Sequence, residues 1–261
     1  MQRLALGLSY RGQGYHGWQS QPDGRTVQDA VEKALTAFAA EPVATVCAGR
    51  TDSGVHALNQ VVHIDTALER DAFSWVRGSN RYLPRDVAMQ WCRPVAADFH
   101  ARNSARGRRY RFVVLESATR PALEQGLVGW VFRPLDARAM QAAAALVIGE
   151  HDFSSFRAAG CQSPTPVKTL RRLEISRRSA YWRFDFDANA FLHHMVRNLM
   201  GCLLAVGSGR QRPEWMAEVL AARCRDAAAP TFPPEGLYFL GPYYDAVHAI
   251  PQHTAAMDWI V

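Results

Sequence analysis

Residues 48–57 read AGRTDSGVHA and carry the most unusual run of residue types in the chain. Gly49 and Gly54 allow the backbone to turn tightly or to approach a ligand closely. Between these glycines, Asp52 could act as a nucleophile or base, bind a phosphate or a metal, or stabilise a turn by bonding to the nearby backbone. Spacing alone favours the turn.

The segments on either side of this loop show the periodicities of strands and helices. Alternating apolar residues over 4–10 predict a strand, and three glycines shortly afterwards predict a turn. Thr26 begins a helical pattern, with Asp29 three residues later as in a weak capping box, and Glu41-Pro42 ends it. Further helices are predicted at 71–78, 136–148, within 191–210 and at 213–222, and further strands at 43–47, 60–64, 87–91, the second half of 99–115, 170–176, 181–187 and 236–244.

The order of these elements predicts the fold class. Strands and helices are mixed, with short connections, in both halves of the 261-residue chain, which indicates two α+β sandwiches that meet edge to edge. We place the boundary near Ser104. The expected division is an N-terminal α+β subdomain at 1–104 that carries the Asp52 loop, a C-terminal α+β subdomain at 105–247, and a C-terminal tail at 248–261.

The composition indicates a globular protein with a polyanionic partner. Hydrophobic residues make up 48% and charged residues 21% of the chain, which is ordinary for a packed domain. The 30 Lys and Arg residues exceed the 24 Asp and Glu residues, which gives a net charge of +6. All but two of the basic residues are arginine, whose guanidinium forks onto phosphate and stacks on bases. A general preference for arginine in the source genome is the alternative.

Other features argue against secreted, zinc-binding and membrane classes. The five cysteines are odd in number, widely spaced and without a C-x-x-C pair, so neither a disulfide framework nor a zinc site is predicted. The N-terminus MQRLALGLSY lacks the apolar core of a signal peptide, and no apolar run approaches the roughly 18 residues of a membrane span. We expect a soluble, cytoplasmic protein with no membrane partner.

The segment AGRTDSGVHA resembles the characteristic motif of the bacterial tRNA pseudouridine synthase A family, in which Asp52 would occupy the position of the catalytic aspartate. Other segments resemble that family in the same order, and together they span nearly the whole chain. They are YHGWQ at 15–19, SNRYLP at 79–84, FHAR at 99–102, RRYRF at 108–112, FSSF at 153–156, residues 190–201, and EGLY at 235–238.

The resemblance implies a fold and a reaction. The fold would be the pseudouridine synthase fold, with two ferredoxin-like α+β subdomains whose mainly antiparallel sheets meet at a central cleft. The reaction would convert uridine to pseudouridine at positions 38, 39 and 40 in the anticodon stem-loop of tRNA, after base flipping, with no metal, nucleotide or redox cofactor. The family also implies a homodimer. A covalent acylal and a glycal both remain open as intermediates.

The resemblance assigns roles to four residues. Asp52 would be the catalytic carboxylate, and Arg197 would pair with it, since an unpaired buried carboxylate has a raised pKa and becomes neutral. Arg50 would lie beside the flipped base or its phosphate, and the ring of Tyr110 would stack on the target uracil. The alternatives are a surface salt bridge for Arg197 and a core position for Tyr110.

A second group of residues is predicted to contact the RNA backbone. Five arginines lie within ten positions, and we favour Arg102 and Arg106 among the set Arg102, Arg106, Arg108, Arg109 and Arg111. His56 and His100 could orient a phosphate, or each could be a hydrogen-bonded structural histidine. His193 and His194 are predicted not to share a metal ion, because adjacent positions in a helix point about 100° apart.

Two other functional classes fit parts of the sequence. A basic RNA-binding module without catalysis accounts for the net charge and the paired α+β units. A hydrolase that acts on a nucleoside or phosphoester could use Asp52, but none of the G-x-S-x-G, H-E-x-x-H or Walker patterns occurs in the chain. The chemistry of the product distinguishes these three classes.

Overall fold

The computed structural model describes residues 1–252, which form a mixed α+β fold with mainly antiparallel strands. The strands are β1 (Gln2–Tyr10), β2 (Val46–Cys47), β3 (His56–Thr66), β4 (Val87–Val95), β5 (Gly107–Glu116), β6 (Gly129–Val131), β7 (Gly149–Asp152), β8 (Val167–Arg178), β9 (Tyr181–Ala188) and β10 (Leu237–Tyr243). The helices are α1 (Val27–Ala39), α2 (Ala72–Asn80), α3 (Ala137–Ala145), α4 (Met195–Gly207) and α5 (Trp215–Ala222). The α+β class predicted from the sequence is confirmed. Across the described range, no helix has the length and apolar character needed to cross a lipid bilayer.

The described residues divide into two compact units. The first unit comprises Met1–Arg108 together with 238–252, and the second comprises Arg109–Leu237. In the first unit the strand order is β4-β1-β3-β10, with β1 antiparallel to both of its neighbours and β10 parallel to β3. In the second unit the order is β5-β9-β8-β7, and the short strand β6 pairs in parallel with β5.

Helix α1 forms where the sequence predicted it, and its first turn shows why. The Thr26 side chain accepts a hydrogen bond from the Asp29 N–H and donates one to the Asp29 carboxylate, which satisfies a donor that the helix itself cannot pair. Val27, Val31 and Leu35 are buried on one face of the helix. Such a cap contributes about 1 kcal/mol, and the buried face supplies most of the remaining stability.

Helix α4 is the core helix of the second unit. Every one of its residues except Arg197 is buried. A helix that is apolar on all sides belongs in a protein core, and the sequence predicted this helix from its double apolar stripe. Arg197 is therefore the one residue of this helix that is partly exposed.

After residue 237 the chain returns to the first unit. The sequence pattern had predicted that the second subdomain extends to residue 247. Tyr238 pairs with His56 in parallel strands, and the core of the first unit contains Tyr244 and Ile250 alongside Phe99. The structural division falls between Arg108 and Arg109 rather than at Ser104. The subdomain limits 1–104 and 105–247 stay a prediction, and most of the predicted tail 248–261 lies outside the described residues.

His63 is a buried histidine that is expected to make the stability of the protein depend on pH. The residue is 5% exposed, and its Nδ1 accepts a hydrogen bond of 3.1 Å from the Ala101 N–H. Burial, with help from the charges of Arg3 and His100, lowers the pKa of His63 from 6.5 to about 4. Between pH 6.5 and about pH 4, the unfolded chain therefore binds a proton at this histidine that the folded chain does not bind.

We therefore expect stability to be complete above pH 6.5 and to fall by about 1 to 3 kcal/mol as the pH drops toward 4. His63→Asn keeps an acceptor near the position of Nδ1 and removes the titration. Urea unfolding of both proteins at several pH values tests this. A wild-type curve that runs parallel to the variant curve through this window would contradict the assignment.

Candidate active site

The loop 48–57 leaves β2 and enters β3 with its first residues held by three hydrogen bonds. The Ala48 N–H donates to the Val61 carbonyl at 2.8 Å, and the Gln60 side-chain amide donates to the Gly49 carbonyl at 2.5 Å. The Arg108 guanidinium donates to the Ala48 carbonyl at 3.0 Å. The start of the loop is therefore fixed to the neighbouring strand by both backbone and side chains.

The middle of the loop is held on both sides of Asp52. The Tyr10 hydroxyl and the Thr51 hydroxyl lie 2.8 Å apart, and the Trp18 N–H donates to the Thr51 carbonyl at 3.0 Å. The Val55 N–H donates to the Asp52 carbonyl at 3.1 Å, which closes a tight turn. Asp52 itself is half-buried. Its backbone thus occupies a defined place, which a reacting group requires.

Two glycines from the segment after β1 make room for this loop. A Cβ atom on Gly12 would lie 1.9 Å from the Val55 carbonyl oxygen, so only glycine permits this approach. Gly17 has a φ of +85°, and a Cβ atom there would lie 2.7 Å from the Thr51 carbonyl oxygen. The glycine-rich turn predicted from the sequence therefore packs directly on the loop that carries Asp52.

His56 lies at the end of the loop, where β3 begins, and is 2% exposed. Its Nδ1 accepts a hydrogen bond of 3.1 Å from the Gly12 N–H, and its ring stacks on Tyr238 with 4.7 Å between centroids. Burial raises the pKa of Tyr238 well above its usual value, so this hydroxyl stays protonated. These contacts favour the structural alternative for His56, and its role in RNA contact stays a prediction.

The other predicted RNA contacts differ in their surroundings. Arg50 and Arg102 are exposed. Arg106 is exposed too, but its guanidinium binds both carboxylate oxygens of Asp245 at 2.6 to 3.0 Å, which lowers the pKa of Asp245 and raises that of Arg106. His100 accepts hydrogen bonds at Nδ1 from two backbone N–H groups of the following turn. Arg102 is therefore the better candidate of the two arginines.

In the second unit, Arg197 and Tyr110 are each held by a local neighbour. The Arg197 Nε donates to the Phe232 carbonyl at 3.0 Å, and the Phe232 N–H donates to the Arg197 carbonyl at 3.1 Å. Tyr110 is half-buried on β5, and its ring packs edge-on against Phe191 with 5.1 Å between centroids. Both side chains are thus partly ordered by packing and partly open to solvent.

The helical geometry assumed for His193 and His194 is wrong. Helix α4 begins after them at Met195, and His194 has a φ of +62°. The two rings lie 4.1 Å apart between centroids. A left-handed residue at the helix start turns the two side chains toward each other, so the angular argument against a shared ion does not hold. The absence of a metal stays a prediction from the family resemblance.

Comparison with known proteins identifies the family. A family model described as tRNA pseudouridine synthase matches residues 8–103 and 143–245. The chain belongs to the tRNA pseudouridine synthase family. It is 71% identical over 258 residues to the tRNA pseudouridine synthase A of Methylibium petroleiphilum, with 99% of each chain covered. Proteins of the same name from Polaromonas naphthalenivorans and Paracidovorax citrulli are 63% and 59% identical, again over 99% of both chains.

The matched ranges of this tRNA pseudouridine synthase family include Asp52 and Arg197, whereas Tyr110 and Arg106 lie between them. Sequence reasoning also missed two buried polar residues next to the candidate residues. Asn198 is fully buried beside Arg197, and its signal was an amide side chain within an otherwise apolar helix. The buried Gln60 that binds the loop could have been noticed in the same way on its apolar strand.

Proposed function

We propose that this member of the tRNA pseudouridine synthase family isomerises uridine to pseudouridine at positions 38, 39 and 40 in the anticodon stem-loop of tRNA, with Asp52 as the catalytic carboxylate. The observation that carries the proposal is the position of Asp52 in a matched family range, within a loop whose backbone is held on both sides. A half-buried carboxylate on a rigid loop is suited to chemistry that needs an accurately placed, ionised oxygen.

The reaction is an isomerisation and needs no net oxidant, reductant or co-substrate. The uracil leaves the ribose at N1, turns, and rejoins it through C5, while the C5 proton is lost and N1 gains one. The Asp52 carboxylate can begin this by attacking the sugar at C1′ or by removing a ribose proton, which leads to an acylal or a glycal respectively. Either route requires the ionised form, so a cationic partner is expected near the carboxylate in the reacting complex.

We assign Arg197 as that partner and Arg50 as the contact to the flipped base or its phosphate. At about 4 Å and an effective dielectric near 20, one guanidinium–carboxylate pair is worth on the order of 4 kcal/mol, enough to keep a half-buried carboxylate ionised. Arg102 is assigned to the RNA backbone. We further propose that the enzyme is a cytoplasmic homodimer, which static light scattering of the purified protein tests for the oligomeric state.

The activity is tested with purified protein, an unmodified tRNA transcript that contains 5-tritiated uridine, and no added cofactor. We expect release of tritium and carbodiimide-reactive sites at positions 38 to 40, and an unlabelled transcript should show no change in mass. Tight binding without tritium release, with several tRNAs tried, would favour the RNA-binding module. Free uracil or inorganic phosphate among the products would favour a hydrolase.

Tyr110 is proposed to stack on the target uracil through its ring, with its hydroxyl available for proton transfer. Tyr110→Phe should keep tRNA affinity within about threefold, because the ring remains, and any loss of turnover then measures the hydroxyl. Tyr110→Ala should weaken base binding by about 1 to 3 kcal/mol. Filter binding and single-turnover rates separate the two effects. Equal affinity for both variants would show that the ring does not contact the base.

A further inference from the structure

A short segment, 229–232, lies along α4 and exchanges hydrogen bonds with two consecutive residues of that helix. Arg197 and Phe232 bond reciprocally, backbone to backbone and guanidinium Nε to carbonyl, at 3.1 and 3.0 Å. The Thr231 hydroxyl donates to the Asn198 side-chain carbonyl at 2.6 Å. The carbonyl that accepts the Arg197 Nε–H thus belongs to Phe232, and the preceding residue, Thr231, is bonded to Asn198.

The Asn198 side chain can hold this segment because its own orientation is determined. It is 0% exposed, and its amide nitrogen donates to the Phe156 carbonyl at 2.8 Å, so its oxygen must face Thr231. The Thr231 hydroxyl also accepts a hydrogen bond of 3.0 Å from the Arg225 guanidinium. The Thr231 hydroxyl thus has two partners, Asn198 and Arg225, and the Asn198 amide is bonded to Phe156 and Thr231. A hydrogen-bonded chain of this kind favours a single geometry.

The same segment approaches the helix backbone one turn later. A Cβ atom on Gly201 would lie 2.2 Å from the Pro230 carbonyl oxygen, so the close approach depends on glycine. The Ala229 N–H also donates to the Cys202 sulfur at 3.3 Å. Segment 229–232 is thus seated on α4 along its length, and the position of Phe232 follows from contacts made by its neighbours.

We propose that Thr231 and Asn198 are positioning residues for Arg197. By holding segment 229–232 against α4, they place the Phe232 carbonyl on the Arg197 Nε and so set the plane of the guanidinium. An arginine side chain is flexible. A hydrogen bond at Nε fixes the direction in which its terminal nitrogens point, and these are the nitrogens that bind a carboxylate. This inference rests on the proposed function, because it requires that Arg197 serve the reacting complex.

The first test replaces Thr231 with Val, which keeps the shape and removes the hydroxyl. We expect kcat on tRNA to fall about 10- to 100-fold, as for a small misplacement of a reacting group, with KM changed less than about threefold. Thr231→Ser should restore most of kcat because it returns the hydroxyl. Thr169→Val makes the same chemical change elsewhere in the second unit and should leave kcat unaltered. A Thr231→Val enzyme with wild-type kcat would overturn the proposal.

The second test asks whether the loss acts through Arg197. In an Arg197→Lys background, which lacks Nε, Thr231→Val should lower the single-turnover rate by less than about twofold further. If Thr231→Val lowered the rate as much in this background as in the wild type, its role would be generally structural, and the proposal would be overturned. In parallel, the Nε–Hε signal of Arg197 in ¹⁵N-arginine protein should shift and broaden in Thr231→Val and recover in Thr231→Ser. An unchanged signal would overturn the proposal even if Arg197→Lys were inactive.

The outcomes also separate this inference from the proposed function. If the wild-type protein forms no pseudouridine, the proposed function fails, whereas the Arg197 signal still reports whether Thr231 orients the side chain. If the wild-type protein is active and the rate losses caused by Thr231→Val and Arg197→Lys are independent of each other, the proposed function stands and the positioning role is wrong.

Discussion

Replacing Asp52 with asparagine is expected to reduce pseudouridine formation to a trace, while tRNA affinity stays within about tenfold of the wild-type value. The amide keeps the shape of the side chain but has neither the charge to attack the sugar nor the basicity to remove a ribose proton. The RNA is expected to be held by many contacts, and the loss of one is worth about 1.4 kcal/mol, or tenfold. Tritium release under single-turnover conditions measures the first effect, and filter binding measures the second.

The control for this variant is Asp98→Asn, which changes the net charge equally at an exposed position of the same unit. It should bind tRNA slightly more tightly and turn over normally, since the negative charge that it removes lies outside the loop 48–57. Asp52→Ala provides a second inactive variant that cannot revert by deamidation. If either Asp52 variant retained more than a trace of activity, the assignment of the catalytic carboxylate would be wrong.

Replacing Gly12 with alanine is expected to have the largest effect on stability, about 3 kcal/mol or more. The new Cβ atom would lie 1.9 Å from the Val55 carbonyl oxygen, a backbone atom that cannot rotate away. Val55 is held by the turn at Asp52 and by the start of β3, so relief requires the whole loop to shift. Activity should therefore fall together with stability, even under conditions in which the protein remains folded.

Gly14→Ala is the matched control for this prediction, because Gly14 belongs to the same short turn and no atom lies within 4 Å of its added Cβ. Its stability should stay within about 0.5 kcal/mol of wild type or rise slightly, since alanine restricts the unfolded chain. Urea unfolding at 25 °C compares both variants with the wild type. Similar losses for the two would show that turn conformation, and not contact with Val55, makes glycine necessary at position 12.

Local patterns predicted the elements that depend on near neighbours. The cap of α1 needed only Thr26 and Asp29, three residues apart, and the strand β1 needed only its alternating apolar residues. The helical placement of His193 and His194 was wrong because their conformation depends on where the following helix starts. The predicted strand at 43–47 shortened to Val46–Cys47 because its length depends on pairing with β3.

The environment of the charged candidates could not be read from their positions in the chain. Arg106 lies in a basic run that suggested phosphate contact, yet its guanidinium is paired with Asp245, 139 residues away. Arg111, from the same run, is paired with Asp185 at 2.7 Å. A run of like charges therefore indicated a polyanionic partner for the protein as a whole, but it did not show which guanidinium groups are compensated within the fold.

By itself, the sequence determined the family, the α+β class and the identity of the candidate carboxylate, because these depend on residue types and short spacings. Only the tertiary structure decided that β10 returns to pair with β3, that His56 is buried with its Nδ1 bonded to the Gly12 N–H, and that the Phe232 carbonyl accepts a hydrogen bond from the Arg197 Nε. The physical reason is one of range. Capping and alternation act over two to four residues, whereas these contacts join distant segments through packing that leaves no periodic trace along the chain.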